Sequence, residues 1–221
     1  MGRSKTQKFI DNEASSNVIQ PGKTLYEKIS GNWNKSYFNN ENDIVIELAC
    51  GKGEYTIGLA QHFPGKNFIG IDIKGARIWS GSQKAQELKL NNVAFLRIHI
   101  QNLENHFKKN EISEIWIIHP DPRPKKSDER RRLTNNRFLD MYKRLIKSGG
   151  IVRLKTDNDL LYDYTLQTLK QRNDVEIVDT TENLYTSELN SEHFDINTKY
   201  EQKFSAEGHL IKYLKFYFQK Q

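Results

Sequence analysis

At 221 residues the chain is long enough for one ordinary domain with an apolar core. Hydrophobic residues make up 36% and charged residues 28%, and no apolar run approaches the ~20 residues of a bilayer-spanning helix, which excludes such a helix and predicts a heavily charged surface. The formal net charge of +6 is local: residues 123–155 hold twelve Lys/Arg against three Asp/Glu, leaving the rest of the chain net negative, which marks one polyanion-binding face.

Residues 1–22 are polar, show no periodicity and end in Pro21–Gly22; they read as a mobile tail ahead of a single domain over 23–221. The opening also lacks the apolar stretch of a signal peptide, and the lone Cys50 fits a reducing, cytoplasmic setting. The segment 24-TLYEKISGNWNKSYF-38 predicts a short helix on the domain edge. From there strands and helices alternate. The run 44-IVIELAC-50 reads as a strand, followed by a glycine turn and a helix at 54–63. Next come strand 67–72, helix 76–90, strand 93–100 and a short helical stretch near 103–107. Strand 114–119, a proline-rich loop, helix 135–147, strand 150–156 and helix 159–171 follow.

Near-continuous apolar strands, each followed by an amphipathic helix, predict an α/β doubly wound, mostly parallel sheet with helices on both faces. Ligands are then expected at the carboxyl ends of the strands. After 174-DVEIVDT-180 the chain turns polar to about residue 197, and 209-HLIKYLKFYF-218 predicts an antiparallel strand pair at the sheet edge.

The turn 47-ELACGKGEYT-56 links the first strand to its helix. Gly51 and Gly53 let backbone approach a ligand, and the helix N-terminus behind them offers free N–H groups. A dinucleotide fingerprint wants a third glycine where Thr56 stands. Glu47 at the strand end repels a pyrophosphate and suits a ligand bearing cations and hydroxyls, as S-adenosylmethionine does. Asp72, at the end of the second strand, suits ribose hydroxyls; it could also cap the next helix. The six histidines show no metal-ligand spacing, so no metal is expected.

The fourth strand ends in 116-WIIHPDPRPKKSDERRRL-133, an aspartate between two prolines followed by cations. HPDPRPKK, together with 47-ELACGKGEY-55, 154-LKTDN-158 and 198-TKYEQKFSAEGHLI-211, resembles the bacterial tRNA (guanine-N7-)-methyltransferase family over residues 43–214. The family's usual motif reads F-P-D-P-W-P-K, so His119 stands in place of Phe and Arg123 in place of Trp. The resemblance implies a Rossmann-like methyltransferase fold that moves the methyl of S-adenosylmethionine to N7 of a guanosine in the variable loop of tRNA. Guanine N7 carries a lone pair and no proton, so the reaction needs in-line placement and stabilisation of growing positive charge rather than a strong base.

Carried over by residue, the resemblance puts Glu47, Asp72 and Asp121 around the donor, above the Gly51–Gly53 turn. His99 aligns at the third strand's end, on the adenine side. Asp121, held by Pro120 and Pro122, also takes the catalytic role. Lys125, Asp157, Thr198, Lys199, Tyr200 and Glu201 fall around the guanosine. Ser127, Asp128, Glu129, Arg130, Arg131 and Arg132 face the tRNA backbone. Two other readings stand beside this one. A nicotinamide-dependent oxidoreductase lacks its third glycine and a hydride-transfer signature, and a non-catalytic RNA-binding module would keep the fold alone. The sequence leaves monomer or homodimer open.

Overall fold

β-branched side chains crowd a helix but stand freely on a pleated sheet, so runs such as Ile44-Val45-Ile46 form strands that bury both faces. The computed structural model describes residues 3–219. Its elements, in chain order, are α1 (Lys5–Ala14), β1 (Val18–Ile19), β2 (Asp43–Leu48), α2 (Glu54–His62), β3 (Lys66–Asp72), α3 (Gly75–Glu87) and β4 (Val93–Arg97). β5 (Ile112–Ile118), α4 (Asn136–Leu145), β6 (Ile146–Thr156), α5 (Asp159–Lys170), β7 (Val175–Thr181), α6 (Lys199–Ala206) and β8 (Lys212–Phe218) complete it. The eight strands lie in one sheet in the order β1-β4-β3-β2-β5-β6-β8-β7. Pairing is parallel from β1 to β6, and β8 runs antiparallel to both neighbours. The antiparallel pair expected at the edge is present, with β7 outermost and β8 one place in.

Strand alternation builds two cores. Ile46, Leu48, Ile69, Ile71, Ile115, Ile117 and Leu154 face α4 and α5 through Phe138, Tyr142 and Leu161. Val45, Phe68, Phe95, Trp116 and Ile118 face α2 and α3 through Tyr55, Leu59 and Ile78. The chain winds outward from β2 through β3 and β4, then restarts at β5 on the other side. That reversal leaves a crevice at the carboxyl ends of β2 and β5.

Two expectations need correction. Residues 3–22 are not a mobile tail; Met1 and Gly2 lie outside the described residues. Ser4 caps α1 by accepting from Gln7 N, Asn12 is buried and donates to Gly75 O at 2.8 Å, and Trp79 Nε1 donates to Asp11 Oδ2 at 2.8 Å. These are side-chain bonds that no apolar periodicity announces. The segment 24–38 is core rather than edge: Trp33 opens a single π-type turn, is fully buried, stacks on Phe107 at 5.4 Å and donates Nε1–H to His106 O. The polar stretch before residue 198 holds two short 3₁₀ turns, Leu184–Thr186 and Glu188–His193, and α6 follows directly. Among the described residues no helix is long and apolar enough to cross a membrane.

Candidate active site

Two cavities share the crevice and meet at Ala49. The chain leaves β2 through Ala49 (φ 57°) and β5 through His119 (φ 42°), and Arg123 (φ 49°) is left-handed as well. Three non-glycine residues in that strained region around one crevice mark a site whose shape is held by its surroundings.

The larger cavity, about 300 Å³, is lined by Glu47, Cys50, Gly51, Arg77, His119, Thr198, Lys199 and Tyr200 among others. Glu47 is buried at the end of β2, and its Oε2 accepts from Thr56 N at 2.7 Å and from the Thr56 hydroxyl. Burial pushes its carboxyl up to about 8 despite those bonds, and among the described residues no cation pairs with it. The carboxyl is thus buried at the edge of open space. Gly51 (φ +56°) gives its N–H to Asp72 Oδ2 at 3.0 Å, and a β-carbon there would meet no atom within 4 Å. A ligand can therefore lie directly on the turn. Cys50 is buried with its thiol pushed up by burial, consistent with a small apolar role.

Asp72 is engaged at both oxygens: Oδ1 accepts from Lys74 N at 2.8 Å and Oδ2 from Gly51 N. It thus ties the glycine turn to the start of α3 and lines the smaller cavity, about 210 Å³, with Ile73, Ile98, His99, Leu133 and Asp121. That slot has apolar walls and a polar rim, which suits a flat heterocycle. Asp121 is 61% exposed on the rim, paired with Arg123 Nε at 3.1 Å, and its Oδ1 accepts from Arg123 N at 3.2 Å.

Behind the larger cavity lies a buried polar set. Lys155 on β6 reaches Glu201 Oε1 at 2.5 Å and donates to Tyr55 OH at 2.7 Å. Glu201 also accepts from Tyr185 OH at 2.5 Å. Tyr55 OH lies 2.8 Å from His193 Nδ1. Burial costs Glu201 in its charged form, but His119, Lys155 and Tyr185 outweigh this and hold it down at about 2. Burial and the Lys155 charge hold His193 neutral, at about 2.

The structure brings Glu47, Gly51, Thr198, Lys199 and Tyr200 to one cavity and Asp72, His99 and Asp121 to the other, with Gly53 (φ +71°) closing the turn beneath. Asp157 holds His119 Nδ1 and Tyr200 OH; Asn158, not Asp157, caps α5. Lys125 is exposed and lines neither cavity. Glu201, expected on the guanosine, is buried and paired with Lys155. Arg132, expected on the RNA backbone, is 5% exposed, lies over the Tyr164 ring at 4.3 Å and donates to Arg123 O. Ser127, Arg130 and Arg131 are exposed on the turn before it, with Asp128 and Glu129 half-buried there. Sequence reasoning missed Lys155, Tyr55, Tyr185 and His193 as a set. A lysine inside the apolar run of β6 was the available signal.

The fold is shared with solved structures described as methyltransferases. The 16S rRNA methyltransferase KamB aligns with a TM-score of 0.64 over 84% of this chain and 92% of that one, at 13% identity. The 30S ribosomal A1408 methyltransferase from an uncultured bacterium aligns at 0.57 over 83% and 90%, at 18% identity. At such identities these alignments show the fold alone, a Rossmann-like α/β sheet. A family model described as "Putative methyltransferase" matches residues 41–214. The tRNA (guanine-N(7)-)-methyltransferase of Cytophaga hutchinsonii is 45% identical over 99% of both chains, and that of Christiangramia forsetii is 44% identical over 97% of both. The chain belongs to the tRNA (guanine-N7-)-methyltransferase family.

Proposed function

We propose that this protein methylates N7 of a tRNA guanosine, in the variable loop, with S-adenosylmethionine as donor. The reading rests above all on Glu47, a buried carboxyl at the edge of a cavity with no cationic partner among the described residues. Glu47 binds the donor's ammonium, Asp72 orients the ribose side while fixing the glycine turn, and the slot by His99 takes the adenine. The donor supplies a methyl group already activated on sulfonium. The chain's own residues then need only hold a base in line with it and steady the positive charge that spreads over the purine. Asp121, on the rim of the smaller cavity, takes that second task, and Lys199 and Tyr200 line the larger one. Exposed Lys125, Lys126, Arg130 and Arg131 hold phosphates. The family assignment disfavours both the oxidoreductase and the non-catalytic readings.

The test is twofold. S-adenosylhomocysteine should raise the melting temperature where NAD does not, and labelled methyl should pass from the donor to an unmodified tRNA transcript. Stabilisation by NAD alone overturns the donor assignment. Donor binding and tRNA binding without label transfer would establish the non-catalytic alternative.

A further inference from the structure

Four ionisable side chains run inward from the wall of the larger cavity, where His119 stands, and transfer to a proton-free nitrogen uses none of them as acid or base. Lys155 Nζ lies 2.5 Å from Glu201 Oε1, Glu201 Oε2 lies 3.5 Å from His119 Nε2, and His119 Nδ1 lies 3.1 Å from Asp157 Oδ1. Their side chains are 1%, 0%, 5% and 13% exposed in the order Lys155, Glu201, His119, Asp157. At such burial, charges must balance within the set. Two carboxylates against Lys155 alone leave one negative charge unmatched, and an imidazolium at position 119 brings the set to neutrality. Burial opposes that charge, but the hydrogen bond with Asp157 and the attraction of Asp157 and Glu201 outweigh it and hold the imidazole above its ordinary 6.5.

These contacts join three elements: the end of β5, the loop after β6, and α6. The groups facing His119 are Asp157 from the β6 loop and Glu201 and Tyr200 from α6, with Lys155 beyond Glu201. The Tyr200 ring lies 5.4 Å from the imidazole, and its hydroxyl donates to Asp157 Oδ2 at 3.3 Å. His193, the other buried histidine nearby, is neutral and bound to Tyr55 instead.

We propose that His119 is a positioning residue: its imidazolium bridges Asp157 and Glu201 and so clamps α6, with Lys199 and Tyr200, onto the cavity that receives the target base. The inference rests on the function proposed for that cavity. The donor side, built on Glu47, Gly51 and Asp72, shares no side chain with the clamp. Because the folded-state pKa of His119 is raised, the clamp is fully present below the ordinary value of 6.5 and is lost as pH rises through the folded value.

The experiment is amide hydrogen exchange on the full chain, wild type and His119→Phe, from pH 6 to 8.5 with intrinsic rates corrected, alongside steady-state kinetics. Two buried charge-assisted contacts give an expected fall of about tenfold or more in wild-type protection over residues 199–206 as pH rises. In His119→Phe protection there should be low and independent of pH, with residues 159–170 unchanged. KM for tRNA should rise about tenfold in the variant, following the loosened α6, while affinity for S-adenosylhomocysteine stays level. Equal protection of residues 199–206 in both proteins overturns the clamp. If the variant fails to fold, the wild type decides alone, since protection independent of pH is also fatal to it. A wild type that shows the pH-dependent protection yet methylates no tRNA refutes the proposed function and leaves the clamp standing. One that methylates tRNA with flat protection refutes only the clamp.

Discussion

Glu47 gives the sharpest quantitative consequence. Its carboxyl is pushed up to about 8 by burial, so at pH 7 only about a tenth of the free protein carries the anion that an ammonium can pair with. Affinity for S-adenosylhomocysteine, whose amino group is the cation, should therefore rise about tenfold between pH 6 and 7 and level off above 8, with about one proton released per ligand near pH 6.5. Calorimetry in two buffers of different ionisation enthalpy counts that proton directly. The same group carries a stability signature. Its folded pKa is raised, so its contribution is fully present below 4.5 and lost as pH rises through about 8, a cost of about 4–5 kcal/mol once ionised. Glu47→Gln keeps an oxygen for the Thr56 N–H but cannot ionise. It should melt higher than wild type at pH 8.5, show no such gain at pH 4.5, and lose both donor affinity and its pH slope. A wild-type dissociation constant flat from pH 6 to 8, without proton release, would refute the assignment of Glu47 as the cation receptor.

Changing Arg130 to Ala should weaken tRNA binding and flatten the log–log salt dependence by about 0.7 to 0.9, with donor affinity unchanged. Arg132→Ala should instead cost about 1–3 kcal/mol of stability in a denaturant melt, because its guanidinium donates twice to Arg123 O over the Tyr164 ring. Glu201→Ala should cost about 3–5 kcal/mol by leaving Lys155 buried and unpaired, and the double change Lys155→Met with Glu201→Leu should recover much of it. Gly53→Ala should destabilise the protein and blunt donor binding, since a β-carbon there would lie 2.5 Å from Phe95 in a backbone at φ +71°. A melting temperature equal to wild type would contradict that steric reading.

The parallel strands were legible because they are buried on both faces and read as unbroken apolar runs, and the places of Glu47 and Asp72 near the ends of β2 and β3 followed from those runs. α1 was hidden: its docking depends on Asn12 and Asp11 meeting Gly75 and Trp79 more than sixty residues away, and composition alone called the segment a tail. α6 carried a readable signal that went unused, the Thr198-x-x-Glu201 spacing of a capping box. Thr198 does cap, accepting from Glu201 N at 3.0 Å, but the Glu201 carboxylate leaves the box for Lys155. Of three consecutive arginines, which one turns inward is decided by Tyr164 on α5, which no local pattern specifies. Likewise, that β8 slides between β6 and β7 is a matter of tertiary pairing, whereas its β-forming composition was plain.

The central claim is that methyl from S-adenosylmethionine arrives at N7 of a tRNA guanosine. Incubating the purified protein with the donor and an unmodified tRNA transcript, followed by borohydride and aniline, cuts RNA only where guanosine carries an N7 methyl. A single cut within the variable loop, absent when the donor is omitted, is the expected result. Methyl incorporation without any cut would contradict the claim by placing the methyl on another atom.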